Sequence, residues 1–250
     1  MQQTKITATK NASALSTLSF KKGLKDGLPI GLGYFPVAFA FGVQASIAGV
    51  PLIMSLFISM TNLTSAGQLA GLSIIASCGT ILEMILTQLV INSRYFLMSI
   101  TLTQKLDGSF SLGHRFLCSA FVTDEIFAVA SSKPKTFGRK YFYGLVILPY
   151  LGWSLGTLFG SFTGDVLPPV VTSALGIALY AMFIAIIIPP SIYSRGVFPA
   201  VALGALISCA LYFIPIFDIL STGICVIISA IITALIVALI FPIKEEEVQS

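Results

Sequence analysis

Apolar residues fill the chain from Leu28 to Phe241, broken at intervals by short polar or glycine-containing turns. A helix that crosses a bilayer needs about 20 such residues. The first run is 28–48, and Gly49-Val50-Pro51 closes it as a turn. The block 52–104 is too long for one crossing and divides most naturally at Ser77-Cys78-Gly79-Thr80, which predicts spans near 52–77 and 80–104. A polar loop runs from Lys105 to His114, and 115–132 forms a shorter candidate whose length also allows a re-entrant or interfacial segment. After a basic loop at 133–140, four more spans fit at 141–163, 168–190, 197–216 and 219–241. The expected fold is an all-α polytopic transmembrane helix bundle of about seven to eight spans, some of them broken helices.

Composition supports this reading. Of the 250 residues 56% are hydrophobic and only 10% charged, against about 25% charged in soluble domains. Too few polar groups are present to cover a water-facing surface, so lipid is the expected solvent. The net charge of +4 is therefore no nucleic-acid signal. Residues 1–27 read as a cytosolic tail, retained because no small-residue cleavage site follows it; 28–242 form the transport domain and 243–250 a solvated C-terminal tail. Lysine and arginine favour the cytoplasmic side. With eight spans, the tail, the 133–140 loop, Arg195 and Lys244 all fall on one side, while Asp165 and Asp218 fall on the other. Cys78, Cys118, Cys209 and Cys225 lie inside apolar runs without metal-ligand spacing, so packing is their expected role.

Small residues recur every fourth position at Ala38, Gly42 and Ser46, and again at Gly152, Gly156, Gly160 and Gly164. The rows superpose at an offset of 114 residues. Such rows let helix backbones approach closely in lipid, and an internal repeat, parallel or inverted, is suggested.

Polar residues inside an apolar span are the strongest pointers to function. Ser59 to Gln68 contains Thr61, Asn62, Thr64, Ser65 and Gly67 near the middle of the second span. These residues weaken helices, which predicts an unwound turn. Free backbone groups at that depth are tolerated where they line a cavity or are buried in protein. Candidate substrate-binding residues here are Thr61, Asn62, Ser65 and Gln68, weighed against plain interhelical hydrogen bonding. Pro36, beside Gly31 and Gly33, predicts a kink in the first span that faces the break. Asn92 and Arg94, in the middle of the third span, join Pro36 as further candidate substrate-binding residues, since an arginine at that depth needs a carboxylate, either the protein's or the substrate's. Asp124 and Glu125 offer it: one acid pairs with Arg94, or one is held protonated and couples transport to protons. Glu83, one turn into its span, reads as an interfacial acid.

Enzyme chemistry lacks its parts. The one histidine, His114, sits in a loop, and no nucleophile–base motif or phosphate-binding loop is present. No cofactor or metal is implied, and transport energy has to come from a gradient or another subunit.

Together these motifs resemble the AzlC/BrnF family, the large subunits of branched-chain amino-acid exporters. The resemblance rests on Gly27 to Pro36 with Phe41-Gly42, on Ser65-Ala66-Gly67-Gln68, on Asn92 to Ser99, and on Thr123-Asp124-Glu125 with Phe127. It covers about residues 20–240. The chain departs from the family pattern at Ser93, where a leucine-like residue is usual, and at Leu69, where an aromatic is usual. The resemblance implies export of leucine, isoleucine, valine or similar small amino acids across the bacterial cytoplasmic membrane, and a small AzlD-type membrane partner. The alternative is a membrane channel or a substrate-binding membrane subunit energised by a partner.

Overall fold

In the computed structural model the described residues are 18–133, 136–164, 166–193, 195–217 and 219–242. The first 17 residues, Lys135, Asp165, Asp218 and the acidic end at 243–250, all used in the charge argument, lie outside them. Ten α-helices follow in order among the described residues: α1 (Phe20–Ile47), α2 (Leu52–Thr61), α3 (Ser65–Ala76), α4 (Ile81–Thr103), α5 (Leu112–Ser119), α6 (Asp124–Ser131), α7 (Arg139–Thr163), α8 (Pro169–Tyr193), α9 (Val197–Phe213) and α10 (Thr222–Ile240). The chain is an all-α helical membrane protein. α1, α4, α7 and α10 are long and apolar enough to cross a membrane, and α8 carries no charged residue in its 25 positions. Large side chains lie bare on the helices, Ile81, Phe116 and Leu239 each more than 80% exposed; lipid is the solvent that suits them.

Each apolar segment expected from the sequence is present, and two of them are interrupted. The second is split into α2 and α3 by Asn62-Leu63-Thr64. The short candidate at 115–132 is two helices of eight residues, α5 and α6. Eight residues rise about 12 Å, well short of a bilayer core of about 30 Å. α1 begins at Phe20, inside the polar stretch, because the Ser19 hydroxyl accepts from the Lys22 backbone N–H and caps the helix.

The chain divides into two compact units. The first comprises residues 1–68 and 92–172, and its centre is the seam between α1 and α7. Gly152 meets the Gly31 carbonyl, Gly156 the Phe35 carbonyl and Gly160 the Phe39 carbonyl. Residue numbers rise together along the seam, so the two helices are parallel. A Cβ at any of these glycines would overlap the opposing backbone. The two small-residue rows seen in the sequence are thus the two faces of one interface: Ala38 faces Gly156 and Ser46 faces Gly164. The Thr157 and Ser161 hydroxyls add bonds to the Ala38 and Gly42 carbonyls.

At the amino ends of this pair a hydrophobic core forms around Leu102, Phe110, Val122, Ile126, Phe137 and Phe142. The loops there are stitched by backbone bonds between Lys105, Asp107 and Phe137. Asp26 of α1 pairs with Lys22 and Lys133, both within 2.9 Å, and accepts from the Tyr141 hydroxyl. The start of α1 and the basic loop at 133 are therefore at the same end, as the charge pattern predicts.

The second unit comprises residues 69–91 and 173–250. α9 and α10 pack through Ser208 and Ser229, 2.9 Å apart, with Ser229 also donating to the Gly204 carbonyl. Glu83 differs from its reading as an interfacial acid. It is near its helix end but only 6% exposed, and its carboxylate accepts from the Gly223 backbone N–H at 2.8 Å. It satisfies the open amino end of α10, where the helix dipole favours negative charge.

Candidate functional site

The two interruptions are built alike, and both lie in the first unit. α2 stops at Thr61, and Asn62 turns extended. The next half-helix is capped by Thr64, whose hydroxyl accepts from Gly67 N–H while its carbonyl accepts from Gln68 N–H. At the other break the chain leaves α5 at Ala120, and Thr123 caps α6 by accepting from Ile126 N–H. A threonine cap satisfies one open N–H of each half-helix and leaves others available. Half-helix amino ends of this kind attract anionic groups.

Three tyrosines hold the breaks together. Tyr34, near the midpoint of α1, donates its hydroxyl towards Glu125 and lies 2.7 Å from the Thr123 hydroxyl. Tyr95, near the midpoint of α4, brings its hydroxyl to Thr64. Each cap therefore has a tyrosine from a long helix. Tyr150 of α7 touches both breaks: its ring meets Phe121 edge-on at 5.4 Å and its hydroxyl donates to the Met60 carbonyl. One turn on, Trp153 packs edge-on against Tyr34 at 5.1 Å. Leu63 of the first break packs on the cluster of Tyr34, Ala38 and Trp153.

Charge enters from α4. The Arg94 guanidinium is 2.9 Å from the Asp124 carboxylate. The same nitrogen bonds the Tyr95 hydroxyl, and the guanidinium carbon lies 4.8 Å from that ring's centre. The sequence asked for one acid to meet Arg94, and Asp124 does. Glu125, about 100° around the helix, turns to Tyr34 instead. The two adjacent carboxylates thus have separate partners on separate helices.

The residues singled out from sequence fall into groups. Arg94, Asp124 and Glu125 lie at the centre of this arrangement. Asn62 and Asn92 are half-buried, one in the first break and one half a turn before Arg94. Gln68 is buried and braces the break, its amide donating to Ser59 Oγ and to the Asn62 carbonyl, both at 2.9 Å. Ser59 in turn bonds Thr157 of α7 at 2.6 Å. Ser65 opens α3. Thr61 is exposed and bonds back to the Phe57 carbonyl of its own helix. Pro36 is also exposed, two residues from the buried Tyr34, so the two side chains leave α1 on different faces; the helix runs through Pro29 and Pro36 without interruption. Tyr34 and Tyr95 stand within the motifs read from the sequence but carried no role there, and Tyr150 and Trp153 stood outside them. Their signal was a polar aromatic tip in the middle of an apolar span, which needs a partner when buried.

Comparison with known proteins places the chain. No solved structure matches it. The inner membrane protein YgaZ of Escherichia coli (strain K12) is 29% identical over 229 residues, covering 88% of this chain and 93% of that protein. An uncharacterized membrane protein of Archaeoglobus fulgidus is 32% identical over 189 residues, covering 74% of this chain and 82% of that protein. The family model described as AzlC protein matches residues 29–167. That stretch contains both breaks, their three tyrosines, Trp153, Arg94 and the two acids. The interrupted helices and the charges between them thus lie within the part shared with relatives, and the chain belongs to the AzlC family.

Proposed function

We propose that the protein exports branched-chain or similar apolar amino acids across the cytoplasmic membrane by alternating access, coupled to protons. The observation that carries this reading is the meeting of two threonine-capped half-helices around the Arg94–Asp124 pair, with Glu125 held apart by Tyr34. An amino acid brings a carboxylate and an ammonium group on an apolar body. Its carboxylate competes with Asp124 for Arg94, aided by the open N–H groups at the breaks. Asp124, released, or Glu125, drawn from Tyr34, then takes a proton. Asn62, Asn92 and Arg94 are assigned to the solute's polar head. Ser65 and Gln68 hold the first break in shape, and Thr61 and Pro36 act through their helices. A small AzlD-type membrane protein is proposed as partner.

The test is flux in proteoliposomes. Leucine, isoleucine, valine and methionine are supplied with and without a pH gradient, and with and without the small partner. Uphill leucine movement driven by the gradient is expected. Flux that only follows the solute's own gradient, unchanged by pH, would overturn proton coupling and favour a channel.

A further inference from the structure

Trp153 is 3% exposed, and its indole N–H has no hydrogen-bond partner among the described residues. Buried tryptophan N–H groups usually find a partner, and an unmet buried donor is unfavourable. The neighbours explain the ring but not the nitrogen. Tyr34 packs on it edge-on, Ala38 shares its cluster, and the apolar side chains of Ile30, Val37 and Leu63 pack against that cluster. The edge-on contact with Tyr34 uses the ring and leaves the nitrogen out. The position is also specific. Trp153 stands one turn beyond Tyr150, which touches both breaks, and against Tyr34, whose hydroxyl reaches the second. A second donor of the same unit, Arg94 Nε, is likewise buried and unmet.

We infer that the Trp153 Nε1–H is a recognition donor for the carboxylate of the exported solute, with the apolar neighbours receiving its side chain. This rests on the reading of the breaks as the amino-acid site and adds a residue to it. A donor in apolar surroundings asks for an acceptor on an apolar body. An α-amino acid with an aliphatic side chain supplies both, and its amino alcohol lacks the charged acceptor.

Trp153 is the chain's single tryptophan, so indole emission reports on this position alone. The full chain in lipid nanodiscs is titrated with leucine and with leucinol. Leucine should shift the emission saturably, and leucinol should require at least about tenfold more. In cells, the leucine-over-leucinol preference in competition for leucine export should narrow about tenfold in Trp153→Phe. A purely structural tryptophan would lower the melting temperature of Trp153→Phe but leave that preference unchanged, which would overturn the inference. Emission indifferent to leucine in a chain that exports leucine would also overturn it, and the export reading would stand. If no amino acid is exported but another carboxylate shifts the emission, the amino-acid reading falls while Trp153 keeps its role. The emission arm uses the unmodified chain and does not depend on the variant folding.

Discussion

Tyr34 of α1 and Thr123 at the start of α6 face each other hydroxyl to hydroxyl at 2.7 Å, and the same tyrosine also holds Glu125. Tyr34→Phe keeps the ring against Trp153 and removes both bonds. A hydrogen bond to a charged group contributes roughly 1.5–3 kcal/mol, so the variant should unfold at lower temperature in detergent. Its flux should also change its dependence on pH, because Glu125 loses the donor that orients it. A variant with wild-type melting and an unchanged pH profile would remove Tyr34 from the site.

The two acids should answer differently to neutralisation. Asp124→Asn leaves Arg94 without its counter-charge and should lower stability by on the order of 1–2 kcal/mol, less than for a fully buried pair because both side chains are partly exposed. Adding Arg94→Gln to Asp124→Asn should restore part of that loss, since neither charge then remains unpaired. Glu125→Gln should fold normally, bind leucine and lose pH-dependent flux. Thermal melts of the three variants, with flux across a pH step, check both statements. Equal behaviour of the two acids would contradict their separate partners.

The α1–α7 seam makes a sharp contrast between glycines. Gly152→Val drives a side chain into the Gly31 backbone and should cost roughly 3 kcal/mol or more, enough to abolish accumulation in the membrane. Gly33 lies in the same helix as Gly31 but meets nothing within 4 Å of an added Cβ. Gly33→Ala should be neutral or stabilising by up to about 1 kcal/mol. Immunoblots of membrane fractions and melts of the purified chains suffice.

Two helices end in the same hydrogen-bonded turn with different residues at its left-handed position. After α1 the position is Gly49, with φ 76°; after α3 it is Cys78, with φ 55°. In both, the next residue's N–H reaches back across the turn, Val50 to Ala45 and Gly79 to Ile74. Cys78→Gly should therefore raise stability by about 1 kcal/mol, seen as a higher melting temperature.

How far the sequence carries is clearest at the two breaks. The first was legible because Asn62, Thr64, Ser65 and Gly67 crowd six consecutive positions. The second was not, because Ala120-Phe121-Val122 reads as uninterrupted apolar helix. Its signal is Thr123 followed by two acids, the composition of a helix start, and in an apolar stretch the same residues also read as buried charges. Arg94's need for an acid could be argued from its depth alone. Which acid, and the tie of the other to Tyr34, depends on how α1 and α6 meet, and no local pattern encodes that. The same holds for the small-residue rows: their spacing announces close packing, but only the fold shows that they pack on each other.

The seam between α1 and α7 behaves like a zip with fixed teeth. Its spacing of four residues sets glycine against carbonyl at each step, and a slip of one residue would put a side chain where only backbone fits. The two long helices are thereby one post, unable to shear along their length. In the proposed export cycle, opening to one side of the membrane and then the other would fall to the short rods α2, α5 and α6, swinging about the unwound turns that mark their ends.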